Sequence, residues 1–318
     1  MSRALRVPSW LAPPQPDIAI EIAHRRVTVA QVSRSTPATV TAYATEALPD
    51  DAVVPSLTAK NIAHPKVVAE ALTRAVDRAG IKNPTRAAIV VPDAVARVSL
   101  LPFEQMPKRQ SELEQLIRWN VKKSVPFPVE DAVLSYVPAA SESGATTLAA
   151  VVARRDVLAE YESLADVIGA HAGIVDIASF DVINTALAAG LAPAGDWLLV
   201  CLTSDSTTIS IMRGEALVFH RHRPLVDSEP LSALVHQTAM YHEDRLGGTR
   251  FARVLLSGGG PTGHEQARKQ IADRLEAVVQ TLDGRAAAAL NDRITAGPEV
   301  LDALAAPIGA LLRERGVA

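Results

Sequence analysis

The order of predicted elements in the first part of the chain is the feature that most limits its fold. Alternating apolar residues from Ile18 to Ile22 and a second run from Val27 to Val32 predict a hairpin. A third strand near residues 39–45 follows. Next come a helix with Pro65 in its first turn and Gly80 at its end, and a buried strand over residues 87–91.

The same order returns in the second half of the chain. Three strands are predicted over residues 197–202, 207–212 and 216–220. A helix then opens near Ser228, with Pro230 in its first turn, and stops at Gly247, before a strand over residues 252–256. A duplicated unit of this kind predicts two α/β domains that face each other across a cleft.

An insertion between the two copies is predicted over residues 95–169, and its first helix is the most fully specified element of the chain. Ser111 and Glu114 have the spacing of a capping box at its start. Leu113, Leu116, Ile117 and Val121 recur at helical spacing. Pro126 ends the helix, and residues 126–131 predict a stiff extended linker. Two strands and a second helix complete a small α+β subdomain.

Composition limits the class of protein. The 318 residues are 48% hydrophobic and 21% charged, which is typical of a globular protein with a large core. A net charge of -3 gives no basis for nucleic-acid binding. The single Cys201 excludes internal disulfides and fits the cytoplasm. We find no apolar run of the length that crosses a bilayer, and residues 1–16 predict a flexible tail.

The segment around the capped helix carries a family resemblance. The Leu101-Pro102 and Met106-Pro107 pairs before it, and the sequence Val-Pro-Phe-Pro-Val-Glu over residues 125–130, resemble PilM-type actin-like proteins of type IV pilus assembly. The chain is similar also to the cytoplasmic part of the type II secretion L protein. Its inserted subdomain resembles the 1C subdomain of PilM and of the division protein FtsA.

The resemblance, which runs from about residue 17 to 316, implies an actin-like (Hsp70/ribonuclease H-like) duplicated α/β fold with an inserted small α+β subdomain. Residues 17–94 and 170–192 would form the first actin-like domain, residues 95–169 the insertion, and residues 193–318 the second domain. The expected ligand of such a fold is ATP with Mg²⁺, held by the two hairpin turns. A glycine in each turn lets backbone N–H groups approach the phosphates, and an acid positions the metal or its waters.

The first hairpin departs from that pattern. It reads Glu21-Ile-Ala23-His24-Arg-Arg where the family has Asp-Ile-Gly-Ser-Ser-Ser, and Thr28 stands where a lysine is usual. Glu21 keeps the charge of the acid but not its length. His24 and the two arginines either supply positive charge to phosphate or form a solvated hairpin tip.

The second hairpin lacks both the acid and the glycine. Its turn contains Thr203 and Asp205, and Asp205 could reach a metal through water or repel the phosphates. The glycine run Gly258-Gly259-Gly260, after the last strand of the second copy, follows the adenosine-side motif of the family and could also serve a domain junction. We therefore expect nucleotide binding at these residues to be weak or lost, with no catalytic or metal-binding residue assigned. His220 and His222, two apart, predict a surface strand and not a metal site.

Three functions remain open. The resemblance implies a cytoplasmic scaffold, peripheral to the inner membrane, that binds the N-terminal cytoplasmic peptide of a PilN-like membrane protein where the first domain meets the insertion. Hydrophobic and basic residues of the insertion are the candidates for that groove. The alternatives are an active actin-like ATPase or phosphotransferase working through Glu21 and Asp205, and a protein that self-associates into filaments.

Overall fold

A computed structural model describes residues 15–142, 144–225, 230–295 and 297–313. Residues 1–14 of the predicted tail and Ser228 lie outside the described residues. The strands are β1 (Ile18–Ala23), β2 (Arg26–Val32), β3 (Thr39–Ala47), β4 (Arg86–Val91), β5 (Ala96–Phe103), β6 (Ala132–Glu142), β7 (Ala145–Arg154), β8 (His171–Ile177), β9 (Asp196–Leu202), β10 (Ser206–Arg213), β11 (Ala216–Pro224), β12 (Arg253–Gly258), β13 (Val279–Thr281) and β14 (Ala289–Leu290). The helices are α1 (Pro65–Ala79), α2 (Gln110–Val121), α3 (Arg155–Val167), α4 (Ala178–Ala188), α5 (Leu231–Leu246), α6 (Gly260–Leu275) and α7 (Pro298–Leu312).

The predicted duplication appears as two sheets with the same strand order. The first sheet has the order β14-β3-β2-β1-β4-β8, and the second has the order β11-β10-β9-β12-β13. In each sheet an antiparallel hairpin lies beside a strand that pairs in parallel, β4 against β1 and β12 against β9. The helix stops also match, because Gly80 and Gly247 both adopt the left-handed conformation that glycine tolerates at a helix end.

The two faces of the first sheet pack against different layers. One face of β1, with Ile18, Ile20 and Ile22, lies in a core shared with α1 and α3. The opposite face, with Ala19, lies in a core shared with α4, α7 and the inner face of the second sheet. Alternation along the strand places these side chains on opposite faces. Helices α4 and α7 therefore fill the space between the two halves of the molecule.

The inserted module is a three-stranded antiparallel sheet, in the order β5-β7-β6, covered by α2. Strand β5 is absent from our sequence prediction. Pro102 interrupts its pattern, yet a proline is tolerated there because β5 is an edge strand. Residues 126–131 also differ from the predicted extended linker, because residues 129–131 form a 3-10 turn and Val129 is buried in the module core.

The predicted capping box at the start of α2 is wrong. The helix begins at Gln110, so Ser111 lies inside its first turn. The N-cap residue is Arg109, and its side chain makes no capping hydrogen bond. Glu114 instead accepts a hydrogen bond from Arg118 Nη2 at 2.9 Å, one helical turn later. Residues 108–112 are exposed, so water can satisfy the first N–H groups of the helix. Its apolar face is as predicted, with Leu113, Ile117 and Val121 buried.

The predicted division into domains stays a prediction, and two elements bear on where its boundaries lie. Helix α3, within the predicted insertion, buries Val157, Tyr161 and Leu164 in the core of the first sheet. Helix α7, within the predicted second domain, packs against β1, β2 and β4 of the first sheet. Among the described residues, none of the helices combines the length and apolarity needed to cross a membrane.

The packing of α7 on α4 yields a stability prediction. A Cβ on Gly309 would lie 1.8 Å from the carbonyl oxygen of Asp181, so Gly309→Ala must push the two helices apart. We expect a loss of about 1–3 kcal/mol in the free energy of unfolding. Gly263→Ala is the matched control, since Gly263 is also helical but has open space around it. It should stabilise α6 by about 0.5–1 kcal/mol. Urea denaturation measures both, and equal effects would contradict this packing argument.

Candidate functional site

A cavity of about 470 Å³ lies between the two halves of the molecule, and we call it the interdomain cavity. Its walls come from the β1–β2 turn, the β9–β10 turn, the end of β12, and helices α4 and α7. Every residue predicted to bind a cofactor lines it: Glu21, Ala23, His24, Thr203, Asp205, Gly258, Gly259 and Gly260. The fold thus brings together residues that are up to 239 positions apart.

Glu21 is engaged inside the cavity by the chain itself. Its carboxylate is buried, and Arg26 Nη2 lies 3.1 Å from Oε2 and 3.3 Å from Oε1. The attraction of Glu21 raises the pKa of the Arg26 guanidinium, so the arginine remains charged. Arg25 differs from its neighbour, because it points to solvent and pairs with the exposed Asp50. Of the two arginines predicted to form a hairpin tip, only Arg25 does so.

The two predicted turns use their polar groups internally. His24 Nδ1 donates to the carbonyl oxygen of Val53 at 2.7 Å. In the β9–β10 turn, Thr203 Oγ1 donates to Asp205 Oδ1 at 2.7 Å and accepts from the Ser206 N–H at 3.0 Å. The β9–β10 turn is therefore closed by local hydrogen bonds, whereas the β1–β2 turn is held by a bond to a residue 29 positions away.

The glycine run is favoured by its backbone conformation and, at Gly258, by a close backbone contact. Gly258, Gly259 and Gly260 have φ angles of 85°, 91° and 60°, which favour glycine. A Cβ on Gly258 would lie 1.9 Å from the carbonyl oxygen of Leu202. The Gly258 N–H also donates to Asp302 Oδ1 at 3.1 Å, which links β12 to α7. The run therefore serves a junction between elements, whatever ligand it also admits.

Asp93 is a site residue that our sequence reasoning missed. It follows β4 directly after Pro92, and its carboxylate is buried. Oδ1 accepts from Ser179 Oγ at 2.6 Å, and Oδ2 accepts from Thr208 Oγ1 at 2.9 Å. Since Thr208 belongs to the second sheet, this carboxylate joins the two halves at the base of the cavity. The sequence feature that could have identified Asp93 is an acidic residue just after the carboxyl end of a buried parallel strand.

His220 and His222 lie beside this junction, so the predicted surface strand is wrong for this end of β11. His222 Nδ1 lies 3.1 Å from Thr208 Oγ1, and the His220 ring packs edge-on against Phe180 of the first half. Burial lowers the pKa of His220 to about 4, and it lowers the pKa of His222 as well. Both imidazoles are therefore neutral near pH 7 and act as parts of an interdomain contact.

Acidic side chains are in excess on the wall of the interdomain cavity. Its space suits a nucleotide, but its lining acids outnumber its arginines: Glu21, Asp93, Asp205, Glu299 and Asp302 against Arg25 and Arg26. A polyphosphate there would meet net negative charge. Among the described residues, no group of three or more His, Cys, Asp or Glu side chains is arranged to hold a metal ion. Three of these acids, Glu21, Asp93 and Asp205, are already paired or hydrogen-bonded within the chain.

A second cavity, of about 560 Å³, lies between the inserted module and the first sheet, and we call it the module groove. Residues 135–139 of β6 line it consecutively, and so do residues 173–177 of β8. Each of these strands is at the edge of its sheet. Consecutive lining means that the strand edges face the groove, because one face of a strand would contribute only alternate residues. The remaining wall is largely apolar and includes Phe180, Ile183 and Leu187 of α4.

Helix α4 separates the two cavities. Ser179 and Val182 line the interdomain cavity, whereas Phe180 and Ile183 line the module groove. Asp181, between them, is fully buried, and its Oδ2 has no hydrogen-bond partner within the part of the chain that the structure describes. Burial raises its pKa well above the ordinary value, and the nearby Asp176 carboxylate adds to the shift. Helix α4 therefore carries, between the two cavities, a buried carboxyl group whose protonated form is favoured.

The comparisons with known proteins agree with this architecture. Residues 19–244 match the family described as Type IV pilus assembly protein PilM. The chain is similar to a solved structure described as a PilM-PilN type IV pilus biogenesis complex, with 17% identity, a TM-score of 0.80, and coverage of 94% of this chain and 99% of that chain. No curated protein sequence gives a significant match.

Two weaker structural likenesses have TM-scores of 0.48 and 10% identity. One is a protein from Bacteroides thetaiotaomicron with an actin-like ATPase fold, covering 92% of this chain and 95% of that chain. The other is the cytoplasmic domain of EpsL, an inner-membrane component of the type II secretion system of Vibrio cholerae, covering 95% of this chain and 94% of that chain. The predicted duplicated, actin-like α/β fold is confirmed.

Asp181 yields a prediction of pH dependence. Its raised pKa means that the folded chain binds this proton more tightly than the unfolded chain. The resulting stability is fully present below the unfolded pKa and is lost as pH rises through the folded pKa. Asp181→Asn cannot ionise, so it should gain stability relative to the wild type as pH rises from about 5 to about 8. The gain is at most about 1.4 kcal/mol per pH unit, and urea denaturation at several pH values measures it.

Asp156→Asn is the control for this measurement. Asp156 is exposed, and its hydrogen bonds from Arg154 lower its pKa, so its contribution is lost as pH falls and not as pH rises. A free-energy difference between Asp181→Asn and wild type that stays constant with pH would contradict a raised pKa at Asp181.

Proposed function

The chain belongs to the family described as Type IV pilus assembly protein PilM, and we propose that it is an actin-like scaffold that binds the N-terminal cytoplasmic peptide of a PilN-like inner-membrane protein. The structural neighbour with a TM-score of 0.80 is itself a complex of PilM with PilN. In this proposal the chain works in the cytoplasm and associates with the inner membrane through that partner.

The module groove is the observation that carries the proposal. It lies where the first domain meets the insertion, which is the place that the sequence resemblance implies for the peptide. Two free strand edges, of β6 and β8, face it, so an extended peptide could hydrogen-bond to either main chain. Apolar side chains of the module and α4 offer pockets for alternate peptide side chains, and Val137 is 47% exposed at the rim.

The charged residues of the groove wall are Glu215, between β10 and β11, and one ion pair. Asp176 of β8 and Arg313, directly after α7, both line the groove and form an ion pair. The module strands that line the groove contribute no lysine or arginine there, so the expected basic residues of the module are not part of its wall. Apolar contact and main-chain pairing are therefore the main sources of affinity in this proposal.

Weak or lost nucleotide binding is the second part of the proposal. It is supported by the engagement of Glu21 with Arg26, the self-closed β9–β10 turn and the excess of acids in the interdomain cavity. None of these observations favours the alternative ATPase or phosphotransferase working through Glu21 and Asp205.

Peptide binding is tested by one substitution in the groove. Val137→Asp places a charge on the apolar rim of β6, where it must be desolvated against the peptide. We expect the affinity for a synthetic N-terminal peptide of the PilN-like partner, measured by calorimetry, to fall at least about tenfold, or 1.4 kcal/mol. Val278→Asp is the matched control, because Val278 is 79% exposed beside β13, an edge strand of the second sheet. A wild-type chain without measurable binding, or equal losses in both variants, would remove the main support for the scaffold.

Nucleotide binding is tested by thermal denaturation with and without Mg-ATP. A ligand of the native state stabilises it by about 2.7 kcal/mol at one hundred times its Kd. We expect no rise in Tm at millimolar Mg-ATP, together with a clear rise on addition of the peptide. A shift of several degrees with Mg-ATP would instead support the enzymatic alternative. Sedimentation of the same samples detects filaments, and so distinguishes filament formation from peptide binding and from Mg-ATP binding.

A further inference from the structure

We propose that the Arg26 guanidinium takes the place of a divalent cation in the interdomain cavity, neutralising Glu21 from within the chain so that the cleft needs no metal. This inference rests on the proposed loss of nucleotide binding and names Arg26 as a residue that contributes to that loss. It makes Arg26 a specificity-determining residue that excludes Mg²⁺ from Glu21.

The hairpin geometry aims Arg26 at Glu21. The two residues flank the turn at His24 and Arg25, and Arg26 pairs in register with Ala23, two residues beyond Glu21 on the same strand. The Nη2 atom lies within 3.3 Å of both carboxylate oxygens, and Nε lies 3.4 Å from Oε2. The guanidinium therefore contacts both oxygens that a metal ion would otherwise use.

Burial makes this contact important. The Glu21 side chain is 8% exposed, and an unpaired carboxylate at such a site would be costly. Arg25, the other arginine of the cavity wall, is 56% exposed and pairs with Asp50. Asp302, from α7, is a second carboxylate whose attraction acts on Arg26. Arg26 thus interacts electrostatically with both Glu21 and Asp302 at this side of the cavity.

A guanidinium and Mg²⁺ neutralise a carboxylate in different ways. Arginine remains charged at every physiological pH and is fixed to the chain, whereas Mg²⁺ requires near-octahedral oxygen ligands and retains several waters. The described residues offer no three-ligand group for such an ion. The internal pair therefore keeps Glu21 neutralised at any concentration of metal or nucleotide.

The test measures Mg²⁺-dependent stability in three purified full-length chains: wild type, Arg26→Ala and Arg25→Ala. Wild type and Arg25→Ala should show the same Tm with and without millimolar Mg²⁺. In Arg26→Ala the Tm should fall by several degrees, because Glu21 is left buried and unpaired. Millimolar MgCl₂ should then raise the Tm of Arg26→Ala by at least about 2 °C, and an equal ionic strength of NaCl should not.

A double variant identifies the group that responds. Glu21→Gln combined with Arg26→Ala removes the carboxylate as well, so the response to Mg²⁺ should disappear. If Arg26→Ala does not fold, Arg26→Gln keeps an amide donor for Glu21 without the charge, and the same outcomes apply. A folded Arg26 variant that responds to Mg²⁺ no more than wild type does would overturn the inference.

The two proposals fail in distinguishable ways. A wild-type chain stabilised by Mg-ATP would refute the loss of nucleotide binding. A wild-type chain without that response, together with an Arg26 variant insensitive to Mg²⁺, would refute the role of Arg26 and leave the scaffold intact.

Discussion

The close approach of α7 to α4 is the constraint on which the rest of the molecule depends. Gly309 leaves no room for a side chain against the Asp181 carbonyl, so the two helices pack backbone to backbone. Thr185 of α4 also donates to the carbonyl oxygen of Ala305 in α7. This pair occupies the layer between the two sheets; α4 supplies walls to both cavities, and α7 lines the interdomain cavity. A displacement of α4 would therefore alter the nucleotide-sized cavity and the peptide-sized groove together.

The two halves are joined at the base of the cavity by polar contacts within the chain. Asp93 accepts hydrogen bonds from Ser179 in the first half and Thr208 in the second. Separating the halves would remove the hydrogen bond from Thr208 to this buried carboxyl group, and this cost resists opening. A cleft that is closed by its own side chains does not depend on a bridging nucleotide. That property suits a scaffold, whose partners need one stable surface.

The sequence predicts well those elements whose determinants are local. Alternation in β1 and β2, the proline and glycine at the ends of α1 and the apolar stripe of α2 depend on neighbouring residues, and each is found in the structure. Strand β5 was missed because an edge position, which depends on the whole sheet, makes Pro102 acceptable. The capping box failed because an alternative partner, Arg118, lies one turn away from Glu114.

The candidate site was also predicted only in part: the positions of its residues were predicted, and their hydrogen bonds were not. Periodicity located the two hairpins, and the family resemblance implied that their turns and the glycine run would meet; all eight selected residues line one cavity. Their bonding could not be predicted, because it depends on groups distant in sequence, such as Val53 for His24 and Asp302 for Gly258. Asp93 was missed for that reason, since its partners are 86 and 115 residues away.

The charges of the two cavities argue for different roles. In the interdomain cavity each of Glu21, Asp93 and Asp205 already has a partner from the chain, so an incoming polyphosphate would have to displace existing bonds before gaining new ones. In the module groove the free groups are main-chain edges and apolar side chains, which an extended peptide can satisfy without breaking the protein's own contacts. In the proposed scaffold, binding free energy is therefore more accessible in the groove, and the actin-like architecture would chiefly hold the two walls of the groove at a fixed separation.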